Sequence, residues 1–547
     1  MNQYTGIGVS PGVAHGPVFR IRRSVVSTPV AASPREVFAA LEGVADELER
    51  RGASATIEVA REVLEAQSMI ARDPALVEAI GARLTDDITY PDVRPAIREA
   101  FAGFRAALES LGGYFAERVN DLDEIADRTI DRLAGVDSSA AVITVPSVIV
   151  ADDLTPADTA SLDLDFALAL VVAKGGPTSH TAIVARGLGI PAVVGCSGVD
   201  SVTQGTELLV DGREGVAIVG ASEADVTARE MREQALRARA AAVTGPGRLS
   251  DGTPVTLLAN AGKVEAVVAA VAAGAEGIGL FRTELLFLDR QTEPTVDEQV
   301  ALYEAVFAAM PGRRVVVRTI DAGSDKPVPF IANEHEENPA LGVRGWRLNR
   351  INDEIVNRQL QALAIAAESS TADVWVMAPM ISTAAEAHDF ASRARALGLR
   401  HVGVMIETPA AALMADHVLA EVDFGSLGTN DLTQYVMASD RLDARLADLT
   451  TSWHPAVLRA IQQAARHAQA LARPLGVCGE AAADPKCAAV LVGLGVSSLS
   501  MSPPALAEVR GFLAQVDRAT CVRAAEAAIS AGSEVAARLA ASDILGD

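Results

Sequence analysis

Six polar side chains in the second half of the chain stand at or just beyond the end of a short apolar run. They are Arg282, Arg318, Glu407, Asn430, Asp431 and Cys478. Arginine presents a planar fork of donors that matches phosphate and carboxylate oxygens, and Mg²⁺ is typically held by one or two protein carboxylates. The two arginines, with Arg441 nearby, therefore predict a site for a small, multiply anionic substrate. Glu407 and Asp431 fit as its magnesium ligands.

Cys478 lies between two glycines in the segment GVCGE. A free thiol near its reference pKa of about 8.5 is mostly protonated at neutral pH, so it can donate a proton to a reacting group. An isolated cysteine is also commonly a small buried hydrophobic residue. The spacing leaves both interpretations open.

His180 lies in KGGPTSHTAIVARGLGIPAVVG, residues 174–195. Thr178 or Ser179 can cap the short helix that TAIVARGLG predicts, and a glycine ends it. His180 would then lie in the first helical turn, where the dipole favours a negative charge beside a neutral imidazole. A structural histidine is the common alternative. A phosphate and magnesium site elsewhere in the chain instead favours a phosphoryl acceptor.

Eight short apolar runs alternate with helical patterns in the second half. They begin at residues 254, 277, 314, 374, 402, 424, 475 and 497. Eight strands alternating with helices over about 250 residues are typical of a (β/α)8 barrel of the TIM type, whose active sites form at the carboxyl ends of the strands. The polar residues above occupy that position.

The first half predicts two kinds of structure. Residues 33–135 have helical patterns alone, opening with a capping box of Ser33 and Glu36 with Pro34 at the first helical position, and predict a four-helix unit. Strand-like runs lie on both sides of it, which indicates an α/β domain interrupted by an all-helical insertion. The fold class is therefore multidomain α/β. Its predicted parts are 1–32 with 136–221 (α/β domain), 33–135 (helical insertion), 222–247 (linker helix) and 248–547 (barrel).

Composition narrows the range of partners. The net charge of the 547 residues is −24, which disfavours binding to nucleic acid or to an anionic membrane surface. The four cysteines lack disulfide or metal-ligand spacing, which fits a reducing cytoplasm. The N-terminus has no secretory pattern and no apolar stretch is long enough to span a membrane. We therefore expect a cytoplasmic protein with small-molecule or protein partners.

Taken together, these segments resemble enzyme I of the bacterial sugar phosphotransferase system, the phosphoenolpyruvate–protein phosphotransferase. The resemblance covers essentially the whole chain. GGPTSHTAIVARGLGIPAVVG resembles the family's phosphohistidine signature. GIGLFRTELLF, RTIDAGSDK, ENPALGVRGWR, VMIETPAA, GTNDLTQY, SDR and CGEAA resemble, in order, its phosphoenolpyruvate-site segments.

The resemblance implies a role for each matching residue. His180 would accept the phosphoryl group, and Cys478 would protonate the enolate to give pyruvate. Glu407 and Asp431 would bind Mg²⁺. Phosphoenolpyruvate would be held by Arg282, Arg318, Asn430 and Arg441, by Asp431 through the metal, and with assistance from Lys326 and Arg344.

The resemblance also implies partners. The helical insertion would dock HPr, the small histidine-containing phosphocarrier protein, and the barrel would form a homodimer. Because the donor site and His180 lie in different domains, we expect the phosphohistidine domain to swing about the 222–247 linker between a barrel-facing and a carrier-facing position. Two alternatives are a dikinase-like enzyme that uses ATP and a regulatory, nitrogen-type phosphorelay paralogue. The dikinase-like alternative is disfavoured because the sequence shows no nucleotide-binding domain. The regulatory paralogue is disfavoured because such relatives usually carry an extra N-terminal sensory domain.

Two positions depart from the family pattern. Pro177 stands where many relatives have Arg, which removes a cation beside the histidine, and Ser324 replaces a Gly near the phosphate. Neither departure removes a catalytic group.

Overall fold

The structure is a computed structural model. It describes residues 2–21, 26, 28–54, 58–86, 88–111, 119–136, 143, 145–154, 166–176, 179–287, 290, 292–323, 328, 330–331, 336–441 and 444–546. The chain divides into two compact units. One consists of Met1–Gln234 with Leu442–Ala444, and the other of Ala235–Arg441 with Arg445–Asp547.

An eight-stranded mixed sheet forms the centre of the first unit. Its strands are Asn2–Thr5 (β1), Ile7–Ser10 (β2), Val13–Arg20 (β3), Ser147–Ala151 (β4), Ala167–Val172 (β5), Ala192–Val194 (β6), Glu207–Asp211 (β7) and Val216–Val219 (β8). The strand order is β1-β8-β7-β3-β4-β5-β6-β2. β3, β4, β5 and β6 run parallel, and the outer pairs are antiparallel. Strands β4 and β5 are almost wholly buried, which explains their continuous apolar runs.

Between β3 and β4, every helix or strand that the structure describes is a helix. These helices are Pro34–Ser54 (α1), Glu58–Ala71 (α2), Pro74–Gly81 (α3), Arg94–Leu111 (α4) and Val119–Leu133 (α5). Val37, Leu41, Ile97 and Ile125 belong to their shared core. Between β3 and β4 the described residues therefore hold five helices, and the prediction of four was wrong. The helix predicted at Ser33 is α1, and α2 is a separate helix between it and α3.

The helix predicted after the histidine motif is confirmed as His180–Leu188 (α6). Ser179 caps it, since its Oγ accepts a hydrogen bond from the Ala182 amide at 3.3 Å. Gly189 ends it with a φ of 68°, a left-handed conformation that glycine adopts without strain. A longer helix, Glu223–Ala242 (α7), follows β8.

The second unit contains a closed barrel of eight parallel strands, as predicted. They are Thr256–Ala261 (β9), Gly277–Arg282 (β10), Arg314–Arg318 (β11), Asp373–Ala378 (β12), His401–Ile406 (β13), Phe424–Leu427 (β14), Leu475–Val477 (β15) and Ser498–Met501 (β16). Each strand pairs with the next along the chain, and β16 closes the barrel on β9.

Helices surround the barrel strands. They are Val264–Ala272 (α8), Val296–Ala308 (α9), Asp353–Glu368 (α10), Ala384–Ala396 (α11), Pro409–Leu413 (α12), Ala415–Ala420 (α13), Thr429–Met437 (α14), Pro455–Ala470 (α15), Pro485–Leu494 (α16), Leu506–Leu513 (α17), Arg518–Ser530 (α18) and Glu534–Leu545 (α19). Full capping boxes open α9 and α11, where Thr295 and Thr383 are the N-caps. Outward-facing strand residues such as Val317 and Val404 share one core with these helices.

Seven inward-facing residues form a separate core within the barrel. They are Leu280, Val316, Trp375, Met377, Met405, Phe424 and Cys478. The barrel interior is therefore a packed core that ends at the candidate site. In the part of the chain that the structure describes, no helix is both long and apolar enough to cross a membrane.

Gly493 tests the packing of the barrel helices. A Cβ at this position of α16 would lie 2.1 Å from the backbone oxygen of Cys521 in α18. Gly493→Ala should therefore destabilise the protein by about 1–3 kcal/mol, although alanine is the better helix former by roughly 1 kcal/mol. Gly103→Ala in α4 is the matched control, because a Cβ there meets no described atom within 4 Å. Calorimetric unfolding should show a lower Tm for the first variant only. An equal or higher Tm for Gly493→Ala would contradict this packing.

Candidate active site

The carboxyl ends of the barrel strands bring the predicted polar residues to one face. Arg282 ends β10, Arg318 ends β11, Glu407 follows β13, Asn430 and Asp431 open α14 after β14, and Cys478 follows β15. Because the eight strands are parallel and closed, their carboxyl ends surround a single opening. Residues that are distant in sequence can therefore act on one small molecule.

Arg318 is a buried cation between carboxylates. It is 5% exposed, and its guanidinium bonds Glu284 Oε1 at 2.5 Å and Asp321 Oδ2 at 2.9 Å. Burial alone would lower the pKa of Arg318. The nearby carboxylates, Glu284 first and Asp321 next, outweigh that effect and raise its pKa. The side chain therefore stays charged inside the barrel.

Arg344 is completely buried and links two strand ends. Its Nη2 donates to Asp321 Oδ2 at 3.0 Å, and its Nη1 donates to Asp431 Oδ1 at 3.0 Å. Nη1 also donates to the Tyr435 hydroxyl at 3.3 Å. Asp321 thus contacts both Arg318 and Arg344, so the two arginines belong to one ionic network.

Glu407 lies against this network and is fully buried. Its Oε1 accepts a hydrogen bond from the Met380 amide at 2.6 Å. Burial raises the pKa of Glu407 to about 7, with Asp431 and Asp321 adding to the rise and the arginines opposing it. A Cβ at Gly428 would lie 2.6 Å from Oε2. Glycine at this position therefore gives the carboxylate its space.

The residues predicted to hold Mg²⁺ fit a divalent cation. Glu407 Oε2 is buried and has no hydrogen-bond partner among the described residues, and Asp431 lies close enough to raise the Glu407 pKa. The described residues contain no group of three or more His, Cys, Asp or Glu side chains able to hold a metal ion. Magnesium needs only one or two protein carboxylates when substrate oxygens and water complete its shell.

The remaining predicted contacts lie around the rim. Arg282 is exposed and makes no hydrogen bond or ion pair within the described ranges. Arg441 Nη1 lies 3.4 Å from Asp431 Oδ2. Asn430 Oδ1 accepts a hydrogen bond from the Glu480 amide at 3.0 Å, which joins the ends of β14 and β15. The rim therefore combines Arg282, which has no partner within the described ranges, with side chains that are already hydrogen-bonded or ion-paired.

Cys478 stands at the inner edge of the same opening. It is 4% exposed, and its Sγ donates to the Leu427 carbonyl at 3.6 Å. Burial raises the pKa of the thiol to about 11, while a hydrogen bond from Ser426 lowers it. At neutral pH the side chain is a protonated thiol.

Sequence reasoning missed three residues that organise this site. Glu284 and Asp321 pair with Arg318, and Asn260 Nδ2 donates to the Cys478 carbonyl at 3.0 Å. A usable signal was present for the two carboxylates: Glu284 is two residues after Arg282, and Asp321 is three after Arg318. Asn260 lies next to the last residue of β9, the first barrel strand. Its place near the carboxyl end of a strand is the same signal that identified the other site residues.

Helix α6 is held against the first unit's sheet by two contacts. Arg186 Nε donates to the Val9 carbonyl at 3.1 Å, and Ser10 Oγ donates to the Ala185 carbonyl at 3.4 Å. These bonds hold in place the helix that His180 opens, and the amino end of a helix favours a negative charge beside it.

Some predicted features cannot be located. The imidazole of His180, together with Pro177, Thr178, Ser324 and Lys326, lies outside the described part of the chain.

Three family models match successive parts of the chain. They are described as "PEP-utilising enzyme, N-terminal" over residues 5–118, "PEP-utilising enzyme, mobile domain" over 143–215, and "PEP-utilising enzyme, PEP-binding domain" over 237–518. The last of these covers the barrel strands and every predicted residue of the barrel site.

Curated relatives match along nearly the full length. A phosphoenolpyruvate-protein phosphotransferase of Streptomyces coelicolor is 47% identical over 99% of this chain and 98% of its own. One of Haloferax volcanii is 39% identical over 86% of this chain and 85% of its own. A solution structure of Enzyme I is 30% identical over 43% of this chain and 99% of its own, with a TM-score of 0.38. The chain therefore belongs to the phosphoenolpyruvate–protein phosphotransferase family, the enzyme I family, whose activity is phosphotransfer from phosphoenolpyruvate.

Proposed function

We propose that the protein phosphorylates itself on His180 from phosphoenolpyruvate with Mg²⁺, releases pyruvate, and passes the phosphoryl group to an HPr carrier for sugar uptake. The observation that carries the proposal is the barrel opening, which combines buried arginines, paired carboxylates and a protonated thiol. These are the groups needed to bind a small anion, tolerate its developing charge and protonate a carbon acid.

The arginines are proposed to hold the donor. Arg282 is exposed and makes no ion pair within the described ranges, so its full hydrogen-bonding capacity can go to a phosphate. Arg318 keeps its charge because Glu284 and Asp321 flank it. Arg441 and Asn430 extend the same surface, and Lys326 and Arg344 would assist. A phosphoenolpyruvate molecule that is already held in place loses little further entropy in the reaction. Such orientation can lower the activation free energy by roughly 7–11 kcal/mol.

Glu407 and Asp431 are proposed to hold the magnesium ion. Bound there, Mg²⁺ would supply charge neutralisation to the phosphate oxygens. The residues' own part is to present two carboxyl groups close together, and Arg318 and Arg344 partly oppose the rise in the Glu407 pKa that burial and the neighbouring carboxylates cause.

Cys478 is proposed as the proton donor to carbon. When the bond between phosphorus and the enol oxygen breaks, the enolate of pyruvate remains. The thiol gives its proton to the methylene carbon, so pyruvate forms and a thiolate is left. The raised pKa of the thiol keeps this proton in place until a strongly basic carbon is present.

The other parts of the chain take the proposed roles of carrier docking and assembly. Residues 33–135 would dock HPr, residues 222–247 would link the phosphohistidine domain at 1–32 and 136–221 to the barrel, and the barrel at 248–547 would form a homodimer. A cytoplasmic location belongs to the same proposal, and the four unpaired, buried cysteines suit a reducing compartment.

His180→Ala tests the acceptor. Incubated with Mg²⁺ and phosphoenolpyruvate labelled in its phosphate, the wild-type protein should gain acid-labile label, and the variant should gain none because it lacks the nucleophilic nitrogen. His15→Ala is the control, since this histidine lies on β3 of the same unit and is only a third exposed. Undiminished acid-labile label in His180→Ala would overturn the assignment.

Cys478→Ala tests the proton donor. We expect pyruvate formation to slow by about 10²-fold or more, the usual contribution of a positioned acid, while binding of phosphoenolpyruvate measured by calorimetry stays largely intact. Cys487→Ala, which removes another buried thiol from α16, should leave both quantities near wild type. Normal pyruvate formation by the first variant would remove Cys478 from the mechanism.

Glu407→Gln tests the metal ligand. The change keeps the shape of the side chain and removes its charge, so half-maximal labelling of His180 should require at least about tenfold more Mg²⁺. Glu421→Gln, a partly exposed carboxylate after α13, is the control. An unchanged magnesium requirement in Glu407→Gln would contradict this role.

A further inference from the structure

A cavity enters the barrel from the face opposite the candidate active site. Its volume is about 20 Å³, which is room for about one water molecule. Pro474 and Ser498, where strands β15 and β16 begin, lie at this entrance and are at least partly exposed. The cavity therefore opens at the amino ends of the strands and reaches inward to Ser426 and Ser500.

Polar side chains line the cavity in an otherwise apolar interior. Ser426, Ser498 and Ser500 contribute hydroxyl groups to its wall. Gly279 and Gly476 leave room beside them, because a Cβ at either position would lie 2.5 Å from a serine Oγ. A buried water needs two to four polar partners and space of its own, and this wall provides both.

Trp375 adds an uncommitted donor to this wall. The residue is 8% exposed, and its Nε1–H is buried with no hydrogen-bond partner in the described part of the chain. The Arg314 guanidinium covers its ring at 3.8 Å, and the Phe424 ring lies 4.6 Å away. The indole is thus held rigidly beside the cavity with a free N–H, an arrangement that costs free energy unless a water accepts from it.

One residue of this wall, Ser426, neighbours the thiol of Cys478, which itself does not line the cavity. Ser426 lines the cavity and donates a hydrogen bond toward the sulfur. Ser500 Oγ donates to Asn260 Oδ1 at 2.6 Å, and Asn260 Nδ2 donates to the Cys478 carbonyl at 3.0 Å. One water here could accept from Trp375 and donate to the oxygens of Ser426 and Ser500. These three bonds are the usual number for a buried water.

The proposed reaction leaves Cys478 as a buried thiolate beside bound pyruvate, and this inference rests on that proposed step. Pyruvate would occupy the carboxyl-end opening at that moment. We propose that Ser426 and ordered water in the cavity return a proton to Cys478 from the amino-end face of the barrel while pyruvate is still bound.

The relay conserves protons and electrons. Ser426 gives its hydroxyl proton to the thiolate, forming the S–H bond, and takes a proton from the cavity water. The hydroxide that remains is neutralised by solvent at the amino-end entrance. Ser426 and Trp375 are positioning residues in this scheme, since neither contacts the substrate.

A double-isotope exchange experiment tests the relay. The full-length protein is incubated in D₂O with Mg²⁺, phosphoenolpyruvate and carbon-labelled pyruvate. Passage of carbon label into phosphoenolpyruvate counts completed reversals, and mass spectrometry counts deuterium in the pyruvate methyl group. If the thiol reloads while pyruvate is bound, deuterium enters more often than carbon label exchanges. The wild-type ratio should therefore exceed one deuterium per carbon exchanged.

Three variants remove the relay in different ways. Ser426→Ala deletes the hydroxyl, Ser426→Val also fills the space a replacement water could take, and Trp375→Phe removes only the N–H. Each should keep carbon exchange and lose the excess of deuterium. Ser497→Ala is the matched control, because its Oγ bonds the Leu475 carbonyl and does not line the cavity; its ratio should equal that of the wild type.

The outcomes separate the relay from the proposed function. Absence of carbon exchange in the wild-type protein would overturn the proposed function. Normal carbon exchange with a wild-type ratio of one or less would overturn the relay alone. An unchanged excess of deuterium in Ser426→Val and Trp375→Phe would overturn it too, as would a parallel loss of both exchange reactions in these variants.

Discussion

The buried pairing of arginines with carboxylates is the interaction on which the candidate site depends. Arg318 and Arg344 are almost or fully excluded from water, and Asp321 bonds both of them. Removing one partner from such a buried pair typically costs about 3–5 kcal/mol, because the other charge is left uncompensated. Asp321 therefore does more than balance charge. It sets the positions of two guanidinium groups that arise from separate parts of the chain.

The barrel makes this network possible. Strand ends that are parallel and closed place β11, β13, β14 and β15 around one opening, so the ionic network, Glu407 and Cys478 are neighbours. The inward-facing side chains of the strands also run from one end of the barrel to the other. The anion-binding groups lie at the carboxyl ends of the strands, and the serines and Trp375 of the cavity lie toward the amino ends. Cys478 lies between them, which suits a group that must give up a proton on one side and regain it from the other.

Much of this architecture could be predicted from the sequence, for physical reasons. The eight barrel strands are short apolar runs because both of their faces are buried. The cap at Ser179 and the stop at Gly189 follow from local backbone chemistry. The number of helices predicted between β3 and β4 was wrong because helical patterns do not show where one helix ends and the next begins. The partners of Arg318 were missed because ion pairs depend on how separate strand ends meet. Likewise, the free N–H of Trp375 is visible only once the barrel closes.

The proposed function requires that a single histidine, His180, receives the phosphoryl group of phosphoenolpyruvate. The most direct measurement is phosphopeptide mapping of the wild-type protein after incubation with phosphoenolpyruvate and Mg²⁺, with digestion and mass spectrometry kept at alkaline pH to preserve phosphohistidine. We expect one phosphate per chain, on the peptide that contains His180 and assigned to that residue. Phosphate on any other residue, or none while pyruvate forms, would contradict it.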